Sequence, residues 1–148
     1  MKDHPKLLVV DDELLIRDLL YDYFSSKDFE IMTAHSADEA IDLLDQYRDF
    51  DVVLTDVKMD GIDGMQLIDS IRKSHAELPI IVMTGFPTVE TAVEALRKRV
   101  YDYIIKPFNI NKLCAVVEAA CQEYGRIRNN RAHIPGPSTR RRAPARNR

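Results

Sequence analysis

Five polar residues stand at or just beyond the ends of short apolar runs: Asp11 and Asp12 after Lys6 to Val10, Asp56 after Val52 to Thr55, Thr84 closing Pro79 to Met83, and Lys106 after Tyr101 to Ile105. If those runs are strands of one parallel sheet, all five residues lie at carboxyl ends, the edge outside which open α/β sheets bind ligands. Three carboxylates gathered there repel one another, and a hard divalent cation relieves that repulsion. Mg2+ suits the set, since it takes one or two carboxylates, keeps waters and accepts a phosphate oxygen. With the Lys106 ammonium beside it, the edge is suited to a phosphate dianion, and a carboxylate can then act as nucleophile toward a phosphoryl group. Singly, each residue has a plainer reading: an acid after a strand caps a helix, Asp56 begins a turn, Thr84 is a loop hydroxyl and Lys106 snorkels to solvent. Their coincidence on one edge of four strands favours the chemistry.

The elements that must position these residues are legible as alternating patterns. The apolar run 6–10 reads as a strand buried on both faces, 51–55 and 79–84 read as further buried, apolar strands, and 29–34 and 101–105 read as two more. Helical spacing follows each strand. Residues 13–26 place Leu15, Leu19, Leu20 and Phe24 on one face, and 36–47 place Ala37, Ala40, Ile41, Leu44 and Tyr47 behind a capping box from Ser36 to Glu39. A loop over 56–63 with Gly61 leads into a third helix carrying Met65, Leu67, Ile68 and Ile71. Thr88 caps a fourth with Val89, Ala92, Val93 and Leu96 on its buried face. Asn109 or Asn111 caps a fifth, with Leu113, Val116, Val117, Ala120 and Cys121, that runs to about Tyr124. Five strands alternating with five helices predict a doubly wound parallel sheet with helices on both faces. If its order is 2-1-3-4-5, the crevice lies between strands 1 and 3, where Asp11, Asp12 and Asp56 converge with Thr84 and Lys106 on the far side. Neither G-x-x-x-x-G-K-[ST] nor G-x-G-x-x-G occurs, so a Walker or Rossmann nucleotide site is not expected.

The chain has 148 residues, 45% of them hydrophobic, which suits one domain over residues 1–124. Residues 125–148 form a basic tail: eight arginines and no acid follow Gly125, so the net charge of −3 divides into a body with 13 basic and 24 acidic side chains and a cationic end. That tail lacks the apolar residues of a core and is expected to be disordered, a linker remnant or an added extension. It has no aromatic residue on which a base could stack, so nucleic-acid binding is not expected of it. No apolar run approaches the roughly 20 residues of a membrane span, and a cytoplasmic location is expected. Cys114 and Cys121 fall about 10 Å apart along one helix and cannot pair. The histidines at 4, 35, 75 and 133 show no zinc spacing.

At the candidate residues the chain resembles the receiver domain of bacterial two-component response regulators. The resemblance rests on Leu8-Val9-Val10-Asp11-Asp12-Glu13, Leu54-Thr55-Asp56-Val57-Lys58-Met59, Met83-Thr84-Gly85 and Tyr103-Ile104-Ile105-Lys106-Pro107-Phe108, in order and spacing over residues 6 to about 124. Within that family the stretch from Thr84 to Ala95, followed by Tyr101 to Phe108, is most similar to receivers of enhancer-binding, nitrogen-regulation-type activators. These 148 residues hold no ATPase or DNA-binding motif, so transcription regulation is expected only through a longer parent protein.

The resemblance implies a flavodoxin-like (βα)5 fold and a signalling switch that catalyses only its own phosphoryl transfer and dephosphorylation. It implies Asp56 as phospho-acceptor from a sensor histidine kinase or phosphotransfer protein. Mg2+ is implied on Asp12 and Asp56 directly, on Asp11 mainly through water, and on the Lys58 backbone carbonyl. Lys106 pairs with the phosphoryl group, Thr84 moves to bond it, and Tyr103 rotates inward as Thr84 withdraws. Helix 4, strand 5 and helix 5 form the output surface, which also suits a homodimer. Lys58 and Phe86 flank the path of the hydrolytic water, with Phe86 shielding the acyl phosphate. Two departures bear on switching: Asp60 stands where the family often has proline, and Arg99-Val100 where it usually has Gly-Ala, which predicts a narrowed helix 4 movement. The rival classes are a Mg2+-dependent phosphatase or nuclease, disfavoured because Asp56 is followed by Val57-Lys58 and not by a D-x-D pattern, and a phosphorylation-independent binding scaffold, disfavoured because every acidic and lysine position is intact.

Overall fold

The computed structural model describes residues 4–59 and 63–133, with side chains through residue 130. The expectations for Asp60, Gly61 and residues 134–148 lie outside them. Strands β1 (Lys6–Val10), β2 (Glu30–Ala34), β3 (Val52–Asp56), β4 (Ile80–Thr84) and β5 (Asp102–Ile105) alternate with helices α1 (Leu14–Ser25), α2 (Ala37–Gln46), α3 (Gly64–Ser74), α4 (Val89–Arg97) and α5 (Ile110–His133). All pairings are parallel and the sheet order is β2-β1-β3-β4-β5, as expected from the alternation and the resemblance.

Every residue of β1, β3 and β4 is buried, because side chains alternate between two helical layers. Leu7, Val9, Val52, Leu54, Ile81 and Met83 pack against Leu20 and Phe24 of α1 and Leu113, Val117 and Ala120 of α5. Leu8, Val10, Val53, Ile80 and Val82 face the other way, onto α2, α3 and Ala95 of α4. Two apolar cores thus hold β1, β3 and β4 in one register and bring their carboxyl ends level.

The helices depart from expectation in four places. In α1, Leu15 is 82% exposed and Leu19 is exposed as well, so the packed stripe is Ile16, Leu20 and Phe24 at i, i+4 spacing. In α4, Val89 and Leu96 are 77% and 76% exposed and Val93 also faces out, leaving Ala95 as the buried residue. That helix lies beside the edge strand β5, whose residues are themselves exposed or half-buried. At α2, Ser36 accepts the Glu39 N–H, but the reciprocal half of the box is absent: Glu39 Oε1 takes the His35 N–H and contacts His35 Nδ1, both at 2.7 Å. Finally, α5 does not stop at Gly125. It continues to His133, and its added turns are secured by Arg128, which lies 3.0 Å from Asp51 Oδ1 and 4.6 Å above the Tyr124 ring. Asn109, of the two proposed caps, accepts the N–H groups of Asn111 and Lys112.

Candidate functional site

The carboxyl ends of β1 and β3 are adjacent, with Val10 paired to Thr55, so the residues that follow them meet. Asp11 still donates its N–H to Ala34 O at 3.1 Å, and the next residue leaves the ladder. Its carboxylate is fully buried, with Oδ1 accepting the Glu13 N–H at 2.9 Å and Oδ2 facing Lys106 Nζ at 2.8 Å. Oδ1 thus closes a local turn at Glu13, the N-cap residue of α1, which has no side-chain cap bond, so Asp11 does not cap that helix while Oδ2 serves the site. Asp12 points outward and is exposed, yet ligand atoms of Asp11, Asp12 and Asp56 all lie within 4.8 Å of one another.

Asp56 is the last residue of β3 and is 6% exposed. Its Oδ1 accepts the Lys58 N–H at 3.1 Å and its Oδ2 faces Lys106 Nζ at 2.9 Å. Lys106 arrives from the end of β5, where its N–H bonds Thr84 O at 2.7 Å and its peptide to Pro107 is cis. Burial works against the Lys106 charge, but the bonds to Asp11 and Asp56 outweigh it and hold the ammonium well above the ordinary lysine range. Burial pushes the Asp11 carboxyl above its usual value, with the Lys106 and Glu13 hydrogen bonds opposing it only in part. One ammonium among three carboxylates leaves excess negative charge, an oxygen-rich donor set that fits a hard divalent cation.

Thr84 ends β4 beside Asp56, is 1% exposed and accepts the Phe86 N–H on Oγ1 at 3.0 Å. Tyr103 on β5 is half-buried, its hydroxyl 2.8 Å from Thr91 Oγ1. Lys58 Nζ lies 5.9 Å from the centroid of the exposed Phe86 ring, so the two residues face each other across the loops above Asp56. Asp11, Asp12, Asp56, Lys58, Thr84, Phe86 and Lys106 therefore lie at this edge, with Tyr103 two residues back from the end of β5.

Sequence reasoning missed three participants. Glu13 Oε1 is 3.2 Å from Lys106 Nζ, and Arg17 Nη1 donates to Asp11 O at 2.8 Å. The acid directly after the Asp11-Asp12 pair was a signal for the first; nothing marks Arg17. Gly64 is the third: its N–H bonds Val57 O at 2.8 Å, and a Cβ there would overlap Asp56 O. Its position behind the Asp63 cap was the available clue.

The family model described as the response regulator receiver domain matches residues 7–118. The chain belongs to this family. The receiver is 38% identical over 117 residues to the regulatory protein AtoC of Escherichia coli, an alignment covering 79% of this chain and 25% of AtoC. It is also similar to the crystal structure of a response regulator receiver protein from Pseudomonas putida, with TM-score 0.76, 34% identity, and 80% of this chain and 99% of that one covered. The crystal structure of NtrX from Brucella abortus gives TM-score 0.81 at 36% identity, covering 88% of this chain and 30% of NtrX. The receiver thus spans about a quarter of the curated relatives it matches. Among the described residues no helix is long and apolar enough to cross a membrane.

Proposed function

We propose that this receiver is a cytoplasmic, phosphorylation-dependent switch in which Asp56 accepts a phosphoryl group from the phosphohistidine of a sensor histidine kinase or phosphotransfer protein. The observation that carries the reading is the convergence of Asp11, Asp12, Asp56 and Lys106 on one edge, with the acceptor carboxylate held between the Lys58 N–H and the Lys106 ammonium. An Asp56 oxygen attacks phosphorus, the P–N bond breaks with its electron pair going to the ring nitrogen, and the donor's imidazole, carrying a proton on its other nitrogen, leaves as the neutral base. The Lys106 donors, now shared between Asp11 and Asp56, turn to the phosphoryl oxygens. Asp12 and Asp56 directly, Asp11 mainly through water, and the Lys58 carbonyl would hold Mg2+. When bound, the ion offsets charge on the acceptor and transferred oxygens.

Thr84 exchanges the Phe86 N–H for the phosphoryl group, Tyr103 moves inward, and the surface of α4, β5 and α5 changes. This is a local charge change biasing a two-state element. The exposed Phe86, Val89, Leu96 and Ile105 on that surface suit an output partner or a second copy of the chain. A groove of about 350 Å3 lined by Glu13, Ile16, Leu19, Lys106, Pro107 and Phe108 adjoins the site and offers the phosphoryl donor a place to dock. Relatives named as transcriptional regulators favour transcription control by the whole protein.

Intact-protein mass spectrometry with acetyl phosphate and Mg2+ tests the assignment. One added phosphoryl group is expected in the wild type, with none in Asp56→Asn or in excess chelator. Equal labelling of Asp56→Asn would place the acceptor elsewhere.

A further inference from the structure

Helix α4 is held unequally at its two ends. At its C-terminal end the half-buried guanidinium of Arg72, from α3, donates Nε to Lys98 O at 3.2 Å, Nη2 to Arg99 O at 2.9 Å and Nη1 to Leu78 O at 2.7 Å. Lys98, the C-cap, places Nζ 2.6 Å from Asp69 Oδ1 and 3.6 Å from Glu94 Oε2. Arg99 adopts φ 59°, a left-handed conformation usually left to glycine, and Val100 then packs against the core. Four residues of α3 and the α4–β5 connection are thereby tied together by charge-assisted bonds, which are about twice as strong as neutral ones.

The N-terminal end differs. Thr88 and Thr91 cap each other within the helix, and among the described residues the side-chain hydrogen bond joining that first turn to the sheet is Thr91 Oγ1 to Tyr103 OH at 2.8 Å. Val89 is 77% exposed and Val93 40%, and neither they nor Ala92 belong to the two buried cores among the described residues, so little apolar packing reinforces this neutral contact.

We propose that α4 is hinged: Arg72 and Lys98 fix its C-terminal end, and activation opens its N-terminal end by breaking the Thr91–Tyr103 contact. The inference rests on the reading of Asp56 as phospho-acceptor, because Tyr103 leaves Thr91 when Thr84 turns toward the phosphoryl group. A rigid helix pivoting near Lys98 moves its residues in proportion to their distance from that end, about 14 Å for Val89 and about 8 Å for Val93 at 1.5 Å per residue. The exposed side chain at Val89 is displaced most, and Arg99-Val100 narrows the movement by staying put.

The test uses the full chain with beryllofluoride and Mg2+ as the phosphoryl mimic, followed by NMR amide shifts and hydrogen exchange. Mimic-induced shifts are expected to fall along α4, those at residues 97–100 reaching at most a third of those at 89–92. Without mimic, Tyr103→Phe, which removes only the hydroxyl, raises exchange at Ala92 and Val93 severalfold and leaves 96–100 unchanged. Arg72→Met does the reverse and spreads the mimic-induced shifts over the whole helix; if it does not fold, Lys98→Gln gives the same pattern more weakly. Largest shifts at 97–100, with shifted Lys58 and Thr84 amides proving that the mimic binds, would overturn the hinge, as would unchanged exchange in Tyr103→Phe. If Lys58 and Thr84 do not respond to the mimic, the Asp56 reading is what fails, and the exchange data on mimic-free protein still decide the clamp.

Discussion

Gly64 joins the scaffold to Asp56, the proposed acceptor, most closely, and Gly64→Ala is the substitution whose outcome the geometry specifies best. A Cβ there would overlap the Asp56 carbonyl oxygen and come to 2.8 Å from Val57 Cα and 3.1 Å from Asp56 C. All three obstacles are backbone, and Asp56 is paired with Met83 in the ladder, so no side chain can rotate away. Gly64 is needed for space and not for a left-handed φ, which leaves the usual helical advantage of alanine, about 0.5–1 kcal/mol, in play. Overpacking costs about 1–3 kcal/mol, with backbone obstacles at the upper end. The net loss is about 2 kcal/mol, a fall in Tm of about 8 °C at roughly 4 °C per kcal/mol for a domain of this size. Because the displaced atom belongs to the proposed acceptor, labelling by acetyl phosphate should slow severalfold as well. Gly85→Ala is the control: its Cβ would meet Lys106 Cβ at an ordinary 4.0 Å, and a change within about 0.5 kcal/mol is expected. Urea melts followed by far-UV circular dichroism measure both variants. A Gly64→Ala midpoint equal to wild type, or a larger loss in Gly85→Ala, would refute the steric argument.

Gly125 lies inside α5 with nothing within 4 Å of an added Cβ, so Gly125→Ala should raise the unfolding free energy from urea melts by about 0.5–1 kcal/mol. Mg2+ is expected to bind the folded site and not the dispersed carboxylates of the unfolded chain; at 100 times its Kd it should then stabilise the wild type by about 2.7 kcal/mol in thermal melts, and Asp56→Asn by clearly less. Burial, and then the neighbouring Arg48, hold the His75 imidazole below the ordinary histidine value, and its buried Nε2 has no hydrogen-bond partner among the described residues. A depressed pKa means stability that is present above the unfolded value of about 6.5 and lost as pH falls through the folded one, so wild type should weaken more than His75→Leu between pH 7 and 5 in pH-dependent urea melts. Phe86→Ala should speed decay of the acyl phosphate severalfold, followed by mass spectrometry after removal of the donor; an unchanged half-life would remove Phe86 from the water path.

The sheet was legible because β1, β3 and β4 are buried on both faces and read as unbroken apolar runs, and the site was legible because its residues close those runs. The face of α4 was not. Valine and leucine at helical spacing announce a stripe, but Val89 and Leu96 point away from an edge strand too narrow to cover them, and only Ala95 reaches the core. The end of α5 was misplaced for a different reason: Gly125 is a local stop signal, and the Arg128–Asp51 contact that overrides it spans 77 residues. Glu39 illustrates competition at short range, since His35 offers a backbone and a ring nitrogen where the capping box offers one N–H.

The Lys106 bond to Asp11 closes 95 residues of chain, and that to Asp56 closes 50. Contacts of that separation require β1, β3, β4 and β5 to be side by side and carry a large loop-closure cost, so the site is expected to form late in assembly. A cation held there stabilises the native state without stabilising the barrier that precedes it. In kinetic terms Mg2+ should lower the unfolding rate and leave the folding rate nearly unchanged. On that expectation the carboxylate cluster, with its cation, is a clasp on the finished sheet, setting how long the fold persists more than how quickly it is reached.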